Sequence, residues 1–194
     1  MATWSPDIDR ALVLAARAHR AQLRKGSDTP YIAHPFAVAL LLARAGLPDP
    51  VIIAGLLHDV VEDQDVTLAA IEAEFGSAVA ELVASVTEQK TEASPDGAPA
   101  ERPWRLRKEE QLAHLAAAGA HTAALKAADA LHNCQSTLRD LEHSGREAWS
   151  RFKAGKEDQV WYYERVAALV ESRLGAHPLA DELKQAVRAL ASWG

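Results

Sequence analysis

The segment His58-Asp59-Val60-Val61-Glu62-Asp63 puts an imidazole and three carboxylates directly behind the apolar run Val51–Leu57. Ionisable groups so close to an apolar stretch are tolerated in a folded interior only with partners. The segment reads as one helix opened by Asp49-Pro50. With about 3.6 residues per turn, His58 and Glu62 share one face and Asp59 and Asp63 the adjacent one. The usual partner for such a cluster is a divalent metal, bound through neutral imidazole and carboxylate. The chain therefore has to bring further ligands to this helix, which points to a metal-dependent hydrolase rather than a plain helical scaffold.

The remaining sequence reads as helices joined by turns. Ser5-Pro6-Asp7 starts the first, with Ser5 as N-cap, and Lys25–Pro30 is a turn. Pro35 opens the second, which stops at Gly46; Asp49-Pro50 opens the third, carrying the whole His58–Asp63 cluster. Thr67 caps a fourth ending near Gly76, and Ser77 begins a fifth through about Val86. Residues 88–103 hold Pro, Gly, Ser and charges and almost nothing apolar. They read as a mobile loop, functional or a solvated connector. Further helices run from Pro103 to Gly119 and from Thr122 to Leu141. A short element lies between Gly145 and Gly155, and two more helices follow, Asp158–Leu174 and one opened by Pro178. No strand is expected. The fold class is all-α, about ten helices in one domain spanning 1–194.

The single cysteine, Cys134, excludes an internal disulfide framework and fits a reducing compartment. Residues 1–20 lack the order of a secretory signal. The apolar runs near 37–43 and 51–57 are too short to cross a bilayer. A cytoplasmic protein without a membrane partner is expected. Lys and Arg number 21 against 27 Asp and Glu, a net charge of −6. That disfavours duplex nucleic acid, which needs a broad basic surface. A small polyanion needs only a local basic cluster and is not excluded.

Four residues qualify as metal ligands: His34, His58, Asp59 and Asp129. Asp129 is an acid in an otherwise apolar helical segment, with Asn133 one turn later on the same face. Two imidazoles and two carboxylates suit Mn²⁺, Fe²⁺ or Zn²⁺ and argue against an all-oxygen Ca²⁺ or Mg²⁺ cage. Spacing alone does not join His34 to Asp129; taken singly, a lone His is more often a packed or capping residue, and a lone helix Asp more often a cap or ion-pair partner.

The order Arg24-Lys25-Gly26, Tyr31-Ile32-Ala33-His34-Pro35, Leu57-His58-Asp59-Val60-Val61-Glu62-Asp63 and Ala128-Asp129-Ala130-Leu131-His132-Asn133 resembles the HD-type hydrolase domain of the RelA/SpoT homologues. It is most similar to the stand-alone small alarmone hydrolases of the stringent response. The resemblance runs from about Ala11 to Val170. It implies an all-helical fold with one Mn²⁺ (Fe²⁺ or Zn²⁺ suiting the same ligands) on His34, His58, Asp59 and Asp129. The implied reaction is hydrolysis of the 3′-diphosphate of guanosine tetra- or pentaphosphate, releasing pyrophosphate. Glu62 is then the main acid/base group with Asp63 assisting, although EDQD also reads as a solvated helix end. Arg24, Lys25 and Asn133 match substrate-binding positions. Arg105, Arg107 and Lys108 match basic residues that reach phosphate, or form a solvated basic face. Tyr162 matches an aromatic lining the nucleoside pocket.

Three positions depart from the family pattern: Ala130 for a common Lys, Gln64 for a usual Thr, and Arg20 where Gly is frequent. None is a proposed ligand. The length leaves no room for a synthetase domain, so hydrolysis alone is expected. Alternatives on the same site are a phosphohydrolase of NADPH, adenosine alarmones or deoxynucleotides, or a non-catalytic nucleotide-binding module. Trp and Tyr near the C-terminus permit a homodimer surface.

Overall fold

Every residue from Val51 to Leu57 is buried, and a helix apolar around its whole circumference is stable only inside a bundle. The computed structural model describes residues 5–88, 91–93 and 99–193. In it, α3 (Asp49–Leu57) is surrounded by α1 (Pro6–Ala18), α2 (Ala33–Arg44), α6 (Ser77–Val86) and α8 (Ala120–Ser144). The 25-residue α8 is the second organising element. It packs against α2, α3 and α6 on one side and α9 (Lys156–Leu174) and α10 (Pro178–Ser192) on the other. Ala123, Ala124, Ala127 and Ala128 are buried along it, and small side chains let so many helices approach one axis. Gly145, at φ +62°, ends α8 in the left-handed conformation glycine adopts without a Cβ penalty. The short α4 (Val60–Asp63) and α5 (Leu68–Phe75) and the longer α7 (Trp104–Ala117) complete ten α-helices among the described residues, with a 3₁₀ segment over Gly145–Arg151.

Caps act where the sequence puts them. Ser5 Oγ accepts from the Ile8 amide at 3.4 Å, and Thr67 Oγ1 from the Ala70 amide at 3.2 Å.

Two expectations are corrected. The third helix does not run unbroken through the cluster. It ends at Leu57, Asp59 departs from helical values (φ −100°, ψ −8°), and α4 is a separate single turn. Consecutive side chains on a continuous helix diverge by about 100°, so the break is what lets His58 and Asp59 face one point. Within 88–103, β1 (Thr91–Ala93) pairs antiparallel with β2 (Pro99–Glu101), Thr91 opposite Glu101. Three-residue strands held by main-chain bonds are too short to leave a period-two pattern. Residues 89–90 and 94–98 of that segment lie outside the described residues.

The α2–α3 contact depends on Gly55. A Cβ there would meet Leu42 Cδ1 at 2.6 Å and the Ala39 Cα at 3.4 Å. Leu42→Ala removes a fully buried side chain at this contact and is expected to cost about 2–5 kcal/mol. Leu40→Ala, at a position 59 % exposed, is expected to stay within about 0.5 kcal/mol. Urea unfolding of the two variants checks both values.

Candidate metal centre and its clefts

Three elements converge beside α3. The first turn of α2 supplies His34, the break supplies His58 and Asp59, and the middle of α8 supplies Asp129. His34 Nε2 lies 3.3 Å from Asp129 Oδ1 and 3.6 Å from Asp59 Oδ2. His58 Nε2 lies 3.1 Å from Asp59 Oδ2 and 3.9 Å from Asp129 Oδ1. Ligand atoms of His34, His58 and Asp59 all fall within 4.8 Å of one another, and Asp129 Oδ1 approaches both imidazoles from α8.

A shell of hydrogen bonds fixes which atoms point inward. His58 Nδ1 donates to the Gly55 carbonyl at 2.9 Å, which turns Nε2 toward the carboxylates. His34 Nδ1 pairs with His132 Nδ1 at 2.8 Å, freeing its own Nε2 in the same way. Tyr31 Oη donates to Asp59 Oδ2 at 2.7 Å. Asp129 accepts from Lys126 Nζ on one oxygen (2.8 Å) and from Asn133 Nδ2 on the other (2.6 Å).

The donor set fits a divalent cation. His58 Nε2 is buried without a hydrogen bond, because its close approach to Asp59 is not aligned for one. Burial opposes charge on His58, yet Asp59, Asp129 and the Gly55 carbonyl outweigh it and raise its pKa to about 9. Burial likewise opposes ionisation of Asp129, but Lys126, His34 and His58 hold its carboxyl well below the usual range. Asp59 is depressed against its burial by His58 and His34. Two ionised carboxylates facing buried imidazoles call for a positive charge between them, as metal ligation supplies.

Two clefts flank this point and share Tyr31, His34, Asn133 and Tyr163 in their walls. The first, about 400 Å³, contains Arg24, Lys25, Arg139 and Arg151. Arg24 donates to Asn133 Oδ1 at 3.0 Å and sits 5.7 Å over the Tyr31 ring. Arg151 is held by Asp140. The second, about 230 Å³, contains Glu62, Lys108 and Tyr162 beside the two His–Asp pairs.

The remaining site candidates separate. Glu62 lines the second cleft, and one oxygen accepts from the Glu88 amide at 2.9 Å. Asp63 is turned toward the end of α1, where Gln22 Nε2 donates to it at 3.1 Å. Lys108 reaches the cleft while pairing with Glu88 at 2.6 Å. Tyr162 donates to Gln111 at 2.7 Å. Arg107 and Arg105 lie outside the walls of both clefts. Arg107 is buried against Glu88 at 2.8 Å. Arg105 stacks on Trp161, 3.2 Å from the ring centroid, and pairs with Glu109 and Asp158. Ala130 is in the core.

Several participants escaped the sequence reading. Lys126 was detectable as a lysine three residues before Asp129 on a buried helix. Arg139 adjoins a polar stripe on α8, Asp129–Asn133–Ser136–Asp140, whose helical spacing signals a lined cleft. Glu88 and Gln22 carry no such signal, since their partners are distant in sequence.

Residues 11–161 match the HD domain family. The human protein named guanosine-3′,5′-bis(diphosphate) 3′-pyrophosphohydrolase MESH1 is 36 % identical over 185 residues, covering 94 % of this chain and 93 % of its own. The structure described as a metazoan ortholog of SpoT that hydrolyses ppGpp superposes with a TM-score of 0.75 at 29 % identity, covering 97 % of both chains. The protein lmo0812 of Listeria monocytogenes EGD-e gives a TM-score of 0.70 at 37 % identity over 82 % of this chain and 94 % of its own. No described helix is long and apolar enough to cross a membrane.

His58→Ala and Asp129→Ala each remove one converging donor. Each is expected to lose stoichiometric Mn²⁺ binding by titration calorimetry, while circular dichroism stays helical.

Proposed function

The chain belongs to the HD domain family, and on that premise we propose that it removes the 3′-diphosphate of guanosine tetra- or pentaphosphate as pyrophosphate, using one Mn²⁺. His34, His58, Asp59 and Asp129 would hold the ion. When bound, it lowers the pKa of a water and polarises a phosphoryl oxygen. The observation that carries the reading is the convergence of two imidazoles and two carboxylates with a further carboxylate, Glu62, in the wall of the same cleft. The nitrogen–oxygen donor set suits Mn²⁺, and Fe²⁺ and Zn²⁺ suit it too.

The chain's own groups divide the remaining work. Glu62 keeps one carboxylate oxygen on the Glu88 amide, which holds the group at the cleft wall. It takes the proton of the attacking water and returns one to the leaving oxygen. Arg24, Lys25 and Asn133 line the larger cleft and orient the nucleotide, Arg24 with a flat donor fork that suits a phosphate or a base edge. Lys108 and Tyr162 bound the smaller cleft, where Lys108 offers a mobile charge to phosphate oxygens. Arg105, paired with Asp158, and Arg107, paired with Glu88 of the smaller cleft's wall, contribute by packing the α7 wall.

Metal-stripped protein is expected to release no pyrophosphate from guanosine tetraphosphate, and added Mn²⁺ to restore release. Competition with NADPH at equal concentration separates the alternative substrate class. Glu62→Gln is expected to retain Mn²⁺ and to lose turnover by roughly two to four orders of magnitude. Metal retained with near-normal turnover in that variant would take the proton transfer away from Glu62.

A further inference from the structure

The single turn α4 carries both Glu62 and Asp63, yet it follows a backbone break and has only four residues. A helix that short has almost no stability of its own, so something else must fix where its acids point. The amide of Gln22 supplies it. Its carbonyl oxygen accepts from His19 Nδ1 at 2.6 Å and from Gln64 Nε2 at 2.7 Å, and its Nε2 donates to Asp63 Oδ2 at 3.1 Å. The Asp63 carboxylate can only accept, which turns the amino end of Gln22 toward it and leaves the carbonyl oxygen for His19 and Gln64. His19 is 1 % exposed and stacks near Tyr31, ring centroids 4.8 Å apart. Tyr31 in turn donates to Asp59. The clasp thus joins the turn after α1 to α4 at Asp63 and Gln64, while Glu62 is the α4 acid that lines the cleft.

The geometry points to a division of labour between the neighbouring acids. Asp63 is a positioning residue, gripped by the Gln22 amide with Gln64 as second anchor, and it holds α4 so that Glu62 alone addresses the reacting atoms. Gln64, where the family commonly has Thr, takes part in this chain's clasp by reaching the Gln22 carbonyl with a longer side chain. The inference rests on the hydrolase reading for its activity readout and is independent of it for its structural one.

The test compares wild type, Asp63→Asn, Glu62→Gln and Gln22→Leu, all Mn²⁺-loaded, by turnover of guanosine tetraphosphate, metal content and amide hydrogen exchange. Asn keeps an oxygen that accepts from Gln22. Asp63→Asn is therefore expected to keep kcat within about tenfold, the scale of one altered hydrogen bond, while Glu62→Gln loses roughly 100- to 10,000-fold. Gln22→Leu is expected to lower kcat with KM and metal content unchanged. It should also speed exchange of the Asp63 and Gln64 amides, which bond to the Asp59 and Val60 carbonyls, by about tenfold or more through local opening. Asp63→Asn as inactive as Glu62→Gln with metal retained would overturn the assignment, and so would unchanged exchange in Gln22→Leu. An inactive wild type would contradict the hydrolase reading, and the exchange result would still decide the clasp.

Discussion

Two partly buried carboxylates, Asp59 and Asp129, face the same pair of buried imidazoles, and the structure around them is organised by that charge. Neither acid can be hidden without compensation, since an unpaired buried charge is far costlier than a lost contact. Part of the compensation is internal. Lys126 and Asn133 hold Asp129, and Tyr31 holds Asp59. The rest falls on the imidazole nitrogens, which stand within 4 Å of the carboxylate oxygens. A divalent ion held between these groups would answer the same electrostatic demand.

The helices carry this arrangement because their packing leaves little freedom. α3 is apolar on all sides and locked against α2, α6 and α8, so the residues following Leu57 emerge at a fixed place and angle. The break at His58–Asp59 then aims two consecutive side chains at one point, and α8 crosses where Asp129 can meet them. The Nδ1 contacts of His58 with the Gly55 carbonyl and of His34 with His132 select the inward-facing nitrogens. The same logic continues outward to α4, whose one turn is held from the cleft side through Glu88 and from the α1 side through Gln22. Chemistry on a short, broken segment requires this support, since a group misplaced by about an ångström loses much of its effect.

The helical architecture was legible because caps, glycine stops and apolar periodicity are local signals. Ser5, Thr67 and Gly145 each act where the residue type predicts. That His34, His58, Asp59 and Asp129 would meet was legible only as a resemblance, since nothing local connects His34 to Asp129. The break in the cluster helix was hidden, because Leu57-His58-Asp59-Val60 has ordinary helix-compatible residues and the deviation follows from tertiary demands on Asp59. The hairpin at 91–101 was hidden by its length. Arg105 was equally hard to read: a basic residue in a basic run suits a phosphate contact and a solvated face alike, and the structure sets it against Trp161, Glu109 and Asp158. Tertiary context decides such cases, and sequence separation conceals it.

The account stands on a single metal position bounded by α2, the α3–α4 break and α8. Anomalous scattering from a Mn²⁺-soaked crystal, recorded at the manganese absorption edge, tests it most directly. The account predicts one strong peak within bonding distance of His34 Nε2, His58 Nε2 and a carboxylate oxygen of each of Asp59 and Asp129. A peak that bypasses these four residues, or none at saturating Mn²⁺, would contradict it.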